Sequence, residues 1–254
     1  MIFNVNKNKI SNKATLLISI LSLTFTLTAY SKADEKRYKE IIVANGGCIT
    51  GTVSFDGDIP PTKLLPINKD HEFCGKEPRP SPVLEIHQVN KGIKNVIVSI
   101  EDIFEGKHFD MSGIRPLLDQ QRCTFIPHVL VITAGTTVDI LNGDNLMHNV
   151  HSHCTKNSPF NEGTTYKQRL SKRFDFEETV KISCDVHKWM SAWIVVKENP
   201  YFALTDEEGR FTIEDVPPGT YKLQAWHESL GINTKEINLG PNEELKVNFS
   251  CNQK

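Results

Sequence analysis

The sequence predicts an all-β chain built as two packed β-sandwiches, and three observations carry that prediction. Short segments rich in β-branched and aromatic residues recur from about Ile41 onward. Turn chemistry separates them at Asp56-Gly57, Ala134-Gly135, Asn142-Gly143, Glu208-Gly209 and Pro217-Pro218-Gly219. No window of helical length carries a convincing apolar stripe. Short strands at this spacing argue for sandwiches.

The N-terminus reads differently. Lys7, Lys9 and Lys13 precede an uncharged run from Ala14 to Ser31, rich in Leu, Ile, Ser and Thr. That basic, then apolar, then small-residue layout predicts a secretory signal over residues 1–33, cleaved after Ser31 or Ala33. The run also reaches the length of an uncleaved anchor, but its many hydroxyl side chains weigh towards cleavage. Tyr30, not Cys, follows Leu27-Thr28-Ala29, which argues against a lipid anchor. Removing 1–33 takes four of the 29 basic residues and no acids, leaving 25 against 31 and a formal net charge of −6. A mildly acidic exported chain is a poor candidate for nucleic acid or anionic lipid. The expected setting is the periplasm, with no membrane span after cleavage, where the six cysteines can pair.

The predicted strands are Ile49–Phe55, Asn95–Ile100, His128–Thr133, Thr137–Leu141, Thr179–Cys184, Ala192–Val196, Arg210–Ile213, Tyr221–Trp226, Lys235–Leu239 and Glu244–Phe249. Alternation places Val96, Val98 and Ile100 on one face, with Ile97 and Ser99 on the other.

Chemistry concentrates in Cys184-Asp185-Val186-His187-Lys188-Trp189-Met190, where a thiol, an imidazole and a thioether recur every three residues at a strand end. Val180, Ile182 and Cys184 alternate with Lys181 and Ser183, so the thiol should point into the apolar face. A tight loop would then swing His187 and Met190 back towards it. Soft sulfur ligands with imidazole suit copper in both oxidation states. A second imidazole comes from Asn145-Leu146-Met147-His148-Asn149-Val150-His151, after the strand from Ala134 to Asn142. A lone Cys-x-x-His carries little weight. Met190 in register and His148 in a separate strand give it weight.

These two segments resemble the cupredoxin family, amicyanin and plastocyanin-like copper proteins, over roughly residues 124–197. The two-residue gaps from Cys184 to His187 and from His187 to Met190 are similar to the amicyanin loop. The resemblance implies a Greek-key sandwich with one copper ion on His148, Cys184, His187 and Met190. It also implies that Asn149 ties the first-ligand strand to the cysteine loop. The chain departs from the family in Glu178-Thr179-Val180-Lys181-Ile182-Ser183, which replaces the usual aromatic-rich approach to the cysteine.

Residues 202–250 resemble the second half of the carboxypeptidase regulatory-like domain, a transthyretin-like sandwich, through Thr205-Asp206-Glu207-Glu208-Gly209-Arg210-Phe211 and Val216-Pro217-Pro218-Gly219-Thr220-Tyr221. Ile49–Phe55 and Asn95–Ile100 look like that domain's opening. The expected organisation is a split domain over 46–118 plus 201–252 with a copper domain over 119–200 inserted. Two sandwiches in tandem is the alternative.

Among the remaining candidates, His151 and His153 fall on the face opposite His148, and with Cys154 they form either a second exposed metal site or an incidental polar cluster. Met147 should point away from His148. Two disulfides are expected, Cys48–Cys251 clamping the termini and Cys74–Cys123, with Cys154 left over. His128 reads as a core or edge residue. Glu177-Glu178 and Asp206-Glu207-Glu208 read as solvated turns. Trp189 reads as a hydrophobic cover or a docking patch. No Gly-x-Ser-x-Gly, phosphate loop or His-Glu-x-x-His is present.

The function expected from the cupredoxin resemblance is a type 1 copper protein that carries single electrons between periplasmic partner proteins and is not itself an enzyme. A copper chaperone and a copper oxidoreductase with an open coordination position are the competing classes. A dinuclear centre is disfavoured, because its loop would need a second cysteine.

Overall fold

The strand from Gly47 to Phe55 reaches across most of the chain for its partners. It pairs antiparallel with Arg210–Val216, Thr52 opposite Arg210 and Ile49 opposite Ile213, and runs parallel to Glu244–Lys246 and Phe249–Cys251. A facing sheet holds Phe202–Leu204, Ile97–Ile100, Gly219–His227 and Gly231–Leu239 in that order. Ile49, Val53, Phe211 and Phe249 from the first sheet pack with Val98, Ile100, Leu223 and Leu239 from the second. The computed structural model describes residues 38–109, 113 and 115–253, so the expected signal over 1–33 lies outside the described residues. No helix among the described residues is long and apolar enough to cross a membrane.

The chain between these partners forms a second all-β sandwich. Its five-stranded sheet runs Asn161–Thr164, His148–His153, Glu178–Ser183, Ser191–Lys197 and Val129–Thr133; its four-stranded sheet runs Arg169–Phe174, Thr136–Asn142, Leu117–Gln120 and Phe125–Ile126. Val150, Val180, Ile182 and Ile194 meet Leu118, Val138, Ile140 and Phe174 between them. Ile67 and Cys74, which lie on the 46–118 side of the expected boundary, are buried in this core. Cys74 ends the four-residue helix His71–Cys74, the one helix among the described residues.

Ile97 faces away from its own sandwich and packs with Val129 and Val195, flanked by Trp193 and Trp226. At this seam Glu228 accepts from the Trp193 indole at 2.8 Å and pairs with His128, whose other nitrogen meets the Ser191 carbonyl at 3.1 Å. Lys197 is buried between Glu101 at 3.0 Å and Glu177 at 2.9 Å. Glu177 is therefore an ion-pair partner, which corrects its reading as part of a solvated turn. Glu178 needs the same correction. It accepts from Thr155 Oγ1 at 2.8 Å, Lys156 N at 3.1 Å and Asn157 N at 2.9 Å. Burial raises its carboxyl, but the bonds from Asn157 and Thr155 outweigh this and hold the pKa down to about 2. Asp206 likewise closes its turn, accepting from Arg210 N at 2.8 Å and Glu208 N at 3.0 Å.

The expected pair Cys48–Cys251 does not form, whereas Cys74 and Cys123 are bonded, with Cα atoms 5.5 Å apart. Cys48 stands opposite Glu244 and Cys251 opposite Phe55 on one extended strand. Seven positions of strand separate them by roughly 23 Å, far beyond disulfide reach.

Two expected outcomes test this architecture. A Cβ at Gly51 would lie 1.8 Å from the Val247 carbonyl oxygen, where the strand joins the C-terminal segment. Gly51→Ala is expected to destabilise by about 2–3 kcal/mol, read as a lower urea midpoint with the slope unchanged. His227 is buried at the seam and its pKa is pushed down to about 4 by burial, with Glu228 opposing and His128 adding. The unfolded chain takes up this proton near its ordinary pKa of about 6.5, so His227 favours the fold above that value. The contribution, about 3 kcal/mol, should disappear as pH falls from 6.5 to about 4. His227→Gln should flatten that part of the stability profile.

Candidate metal centre

His148 opens its strand and points inward with Val150 and Ser152, while Asn149 and His151 lie on the outer side and His153 is exposed. The turn before it is braced from within. Asn142, fully buried, donates to the carbonyls of Leu146 at 2.9 Å and Thr164 at 2.8 Å and accepts from Asp144 N at 2.9 Å. This places the Asp144 carboxylate 2.8 Å from His148 Nε2.

Cys184 follows the Glu178–Ser183 strand, in which Val180 and Ile182 are buried and Lys181 is exposed. The loop after it closes on itself, with Met190 N donating to the His187 carbonyl at 2.9 Å and Cys184 N to the Met190 carbonyl at 3.3 Å. The Cys184 sulfur is buried and accepts from the backbone N–H of Asn149 and of His187, each at 3.4 Å. Asn149 Oδ1 accepts from Asp185 N at 2.8 Å, joining the histidine strand to the cysteine loop.

The two segments bring the imidazoles together. His148 Nδ1 lies 2.9 Å from His187 Nδ1, and Cys184 Sγ lies 3.8 Å from the latter. Both rings are 0% exposed, which closes the site to solvent. Met190 is buried in the same core, beside the loop it terminates. Trp189 is buried 5.1 Å from the His187 ring and donates its indole N–H to the Cys123 carbonyl at 3.1 Å, so it covers the site.

Tautomers decide what this arrangement can do. A carboxylate only accepts, so His148 Nε2 must carry its proton toward Asp144. His187 Nε2 faces Asp70 Oδ2 at 2.8 Å and carries its proton for the same reason. A ring so held has, in its neutral form, a lone pair on Nδ1, and the two Nδ1 atoms point at each other. Burial pushes the His148 pKa below its ordinary value; Asp144 opposes this and His187 reinforces it. Two facing acceptors beside a thiol need a proton or a cation between them. His148, Cys184 and His187 can supply three donors to one metal ion. Cys123, Asp144 and His148 also lie close enough, but the Cys123 sulfur is committed to its disulfide.

The remaining candidates stand outside this centre. Met147 is 58% exposed. His151 and His153 stack at 4.3 Å on the solvent side, engaged with Asp185 Oδ2 at 3.1 Å and Ser183 Oγ at 2.9 Å. Cys154 packs against the buried core, and among the described residues these three do not form a convergent donor set. Asp70 and Asp144 escaped sequence reasoning. Asp144 stands four residues before His148, a faint local signal; Asp70 lies 117 residues from His187 and gives none.

A family model described as "Polysaccharide lyase family 4, domain II" matches residues 172–246, under a third of the chain, across parts of both sandwiches. No curated protein matches. Among solved structures, the copper-containing nitrite reductase of Thermus scotoductus SA-01 is 23% identical over 37% of this chain and 24% of its own, with a TM-score of 0.33. The purple cupredoxin of Nitrosopumilus maritimus is 23% identical over 32% of this chain and 99% of its own, with a TM-score of 0.29. Amicyanin of Paracoccus versutus is 22% identical over 35% and 86%, with a TM-score of 0.30. This chain thus spans about a quarter of the nitrite reductase it matches.

The burial of Cys184 has a direct chemical consequence. Of four free cysteines, Cys48, Cys154 and Cys251 are partly exposed and Cys184 is not. In the metal-free native protein a bulky thiol reagent is expected to modify those three first. Cys184 should be modified only on unfolding, which mass mapping of the labelled peptides checks.

Proposed function

We propose that this chain is an exported copper protein that carries single electrons, with His148, Cys184 and His187 as its strong ligands and Met190 as a weak axial one. The observation that carries the reading is the pair of facing acceptor nitrogens, 2.9 Å apart, beside a buried cysteine sulfur. That donor set, two imidazoles with one thiol and a neighbouring thioether, suits copper in both oxidation states. Copper held there would supply a one-electron couple.

The chain's own residues supply the rest. The N–H groups of Asn149 and His187 face the Cys184 sulfur and stabilise it as a thiolate. Asp70 and Asp144 fix both rings with Nδ1 inward, so little rearrangement is needed when the charge changes. Trp189 and the surrounding apolar side chains exclude water, which limits solvent reorganisation around the centre.

The wider assignments belong to the same proposal. The signal over 1–33 directs the chain to the periplasm, where the partners are redox proteins. The sandwich formed by residues 46–118 and 201–252 is a carboxypeptidase regulatory-like scaffold into which the copper domain, 119–200, is inserted. Its support is the pairing of Gly47–Phe55 with Arg210–Val216.

Loading the purified protein with Cu(II) tests the reading. One equivalent is expected to bind with an intense visible thiolate-to-copper band that a mild reductant bleaches and an oxidant restores. Cys184→Ser should abolish the band, and His148→Ala should weaken binding roughly 10-fold or more. A colourless protein that takes up only Cu(I) would overturn electron carriage in favour of a chaperone. A second tightly bound equivalent would favour an oxidoreductase.

A further inference from the structure

The Nε2 edge of His187 does not open to solvent, because a distant segment of the chain covers it. Asp70 meets that nitrogen at 2.8 Å and begins the one-turn helix that ends at Cys74, whose N–H returns to the Asp70 carbonyl at 2.8 Å. Cys74 is bonded to Cys123. On the far side of that bond, the successive N–H groups of Arg122 and Cys123 both donate to Asp144, at 2.6 and 2.7 Å. Asp144 is the carboxylate that holds His148. One covalent link therefore joins the two segments that aim the two imidazoles.

Arg79 straps the same junction. It donates to the Cys74 carbonyl at 2.6 Å, to the Arg122 carbonyl at 2.7 Å and to Thr124 Oγ1 at 2.6 Å. Asp70, Arg122 and Cys123 all adopt positive φ, at 52°, 51° and 55°. Arg and Cys rarely sit in left-handed backbone, and such a conformation persists only where its surroundings over-determine it. A disulfide, a guanidinium and a two-pronged carboxylate converge here. Hydrophobic packing alone would not require that combination.

We propose that Asp70 is a positioning residue for the metal centre, acting through His187, and that the Cys74–Cys123 disulfide strapped by Arg79 is what holds it there. This rests on the copper reading above. The carboxylate selects the tautomer that leaves His187 Nδ1 free, and its negative charge makes the imidazole a better donor. The charge also favours the more positive oxidation state of the metal. The disulfide enters only as an anchor: without it, the segment carrying Asp70 keeps its ligand-facing residue but loses its tether.

The experiment uses the full chain and Cu(II), following the visible band, the rate of copper loss to a chelator and the reduction potential. Asp70→Asn keeps the shape and an acceptor oxygen but removes the charge; it should raise the potential while the band persists. Asp70→Ala should release copper roughly 10- to 100-fold faster. The Cys74→Ala/Cys123→Ala variant should shift the same way. Adding Asp70→Ala to it should cost less than in the wild-type background, because the two changes remove one device. Should the cysteine variant fail to fold, Asp70→Asn and Asp70→Ala, which leave the disulfide intact, decide the matter alone. Wild-type potential and release rate in both would overturn the proposal.

Failure of the copper reading is separately visible as a wild-type protein that never develops the Cys184-dependent band. In the metal-free protein, nitrogen NMR of the His187 ring gives an independent check. The Nε2–H tautomer should dominate in the wild type and give way in Asp70→Ala, and an unchanged ring would also overturn the proposal.

Discussion

Everything at the centre follows from the fact that a carboxylate offers only acceptors. Asp144 and Asp70 each claim the proton of one imidazole, and the two rings are left with their lone pairs facing across 2.9 Å. In a site with no exposure to water, that arrangement is unfavourable by itself. Buried polar groups left to face a like partner cost free energy comparable to a lost hydrogen bond or more. The surrounding fold supports the cost through the braced turn at Asn142, the closed loop from Cys184 to Met190 and the packed sandwich beneath them. Such pre-organisation is what a binding site for a cation requires.

The outer sandwich, built on Gly47–Phe55, meets the site-bearing one at a seam, while the segment between its strands sends Asp70 directly to His187. At that seam Ile97 turns outward onto Val129 and Val195. The polar groups there are all partnered. Lys197 has its charge opposed by Glu101 and Glu177, and although burial alone would lower its pKa, those carboxylates raise it. Glu228 serves both His128 and Trp193. A seam with paired charges fixes one orientation, because sliding would strand a buried ion.

Much of this was legible in the chain. Val180, Ile182 and Cys184 announce their inward face by simple alternation, and a strand-end loop with a cysteine, a histidine and a methionine at equal spacing is a local pattern that survives folding. Elements whose inward positions are polar escaped. Leu117–Gln120 buries Asp119 and Gln120, which brace Gly143, Leu141 and Thr164 by hydrogen bonds and carry no hydrophobic signal. Arg169–Phe174 places Lys172 between Leu170 and Phe174, where its ammonium sits over the Phe160 ring and the apolar period breaks. Asp70 was illegible for a different reason. Its meaning depends on a partner far along the chain, and nothing in its own neighbourhood distinguishes it from any other surface acid.

The discontinuous sandwich bears on how the molecule assembles. Gly47–Phe55 emerges early and bridges Gly92, yet its strand partners come only from Arg210 onward, and Thr52 waits for Asn248, 196 residues later. Loop closure over such a span is entropically costly and slow. The inner sandwich removes most of that cost once folded, since it delivers Ser99 opposite Phe202 and so brings its own two ends together. Loop-closure entropy thereby favours one order of assembly, in which the site-bearing sandwich condenses before the outer one closes across its two ends.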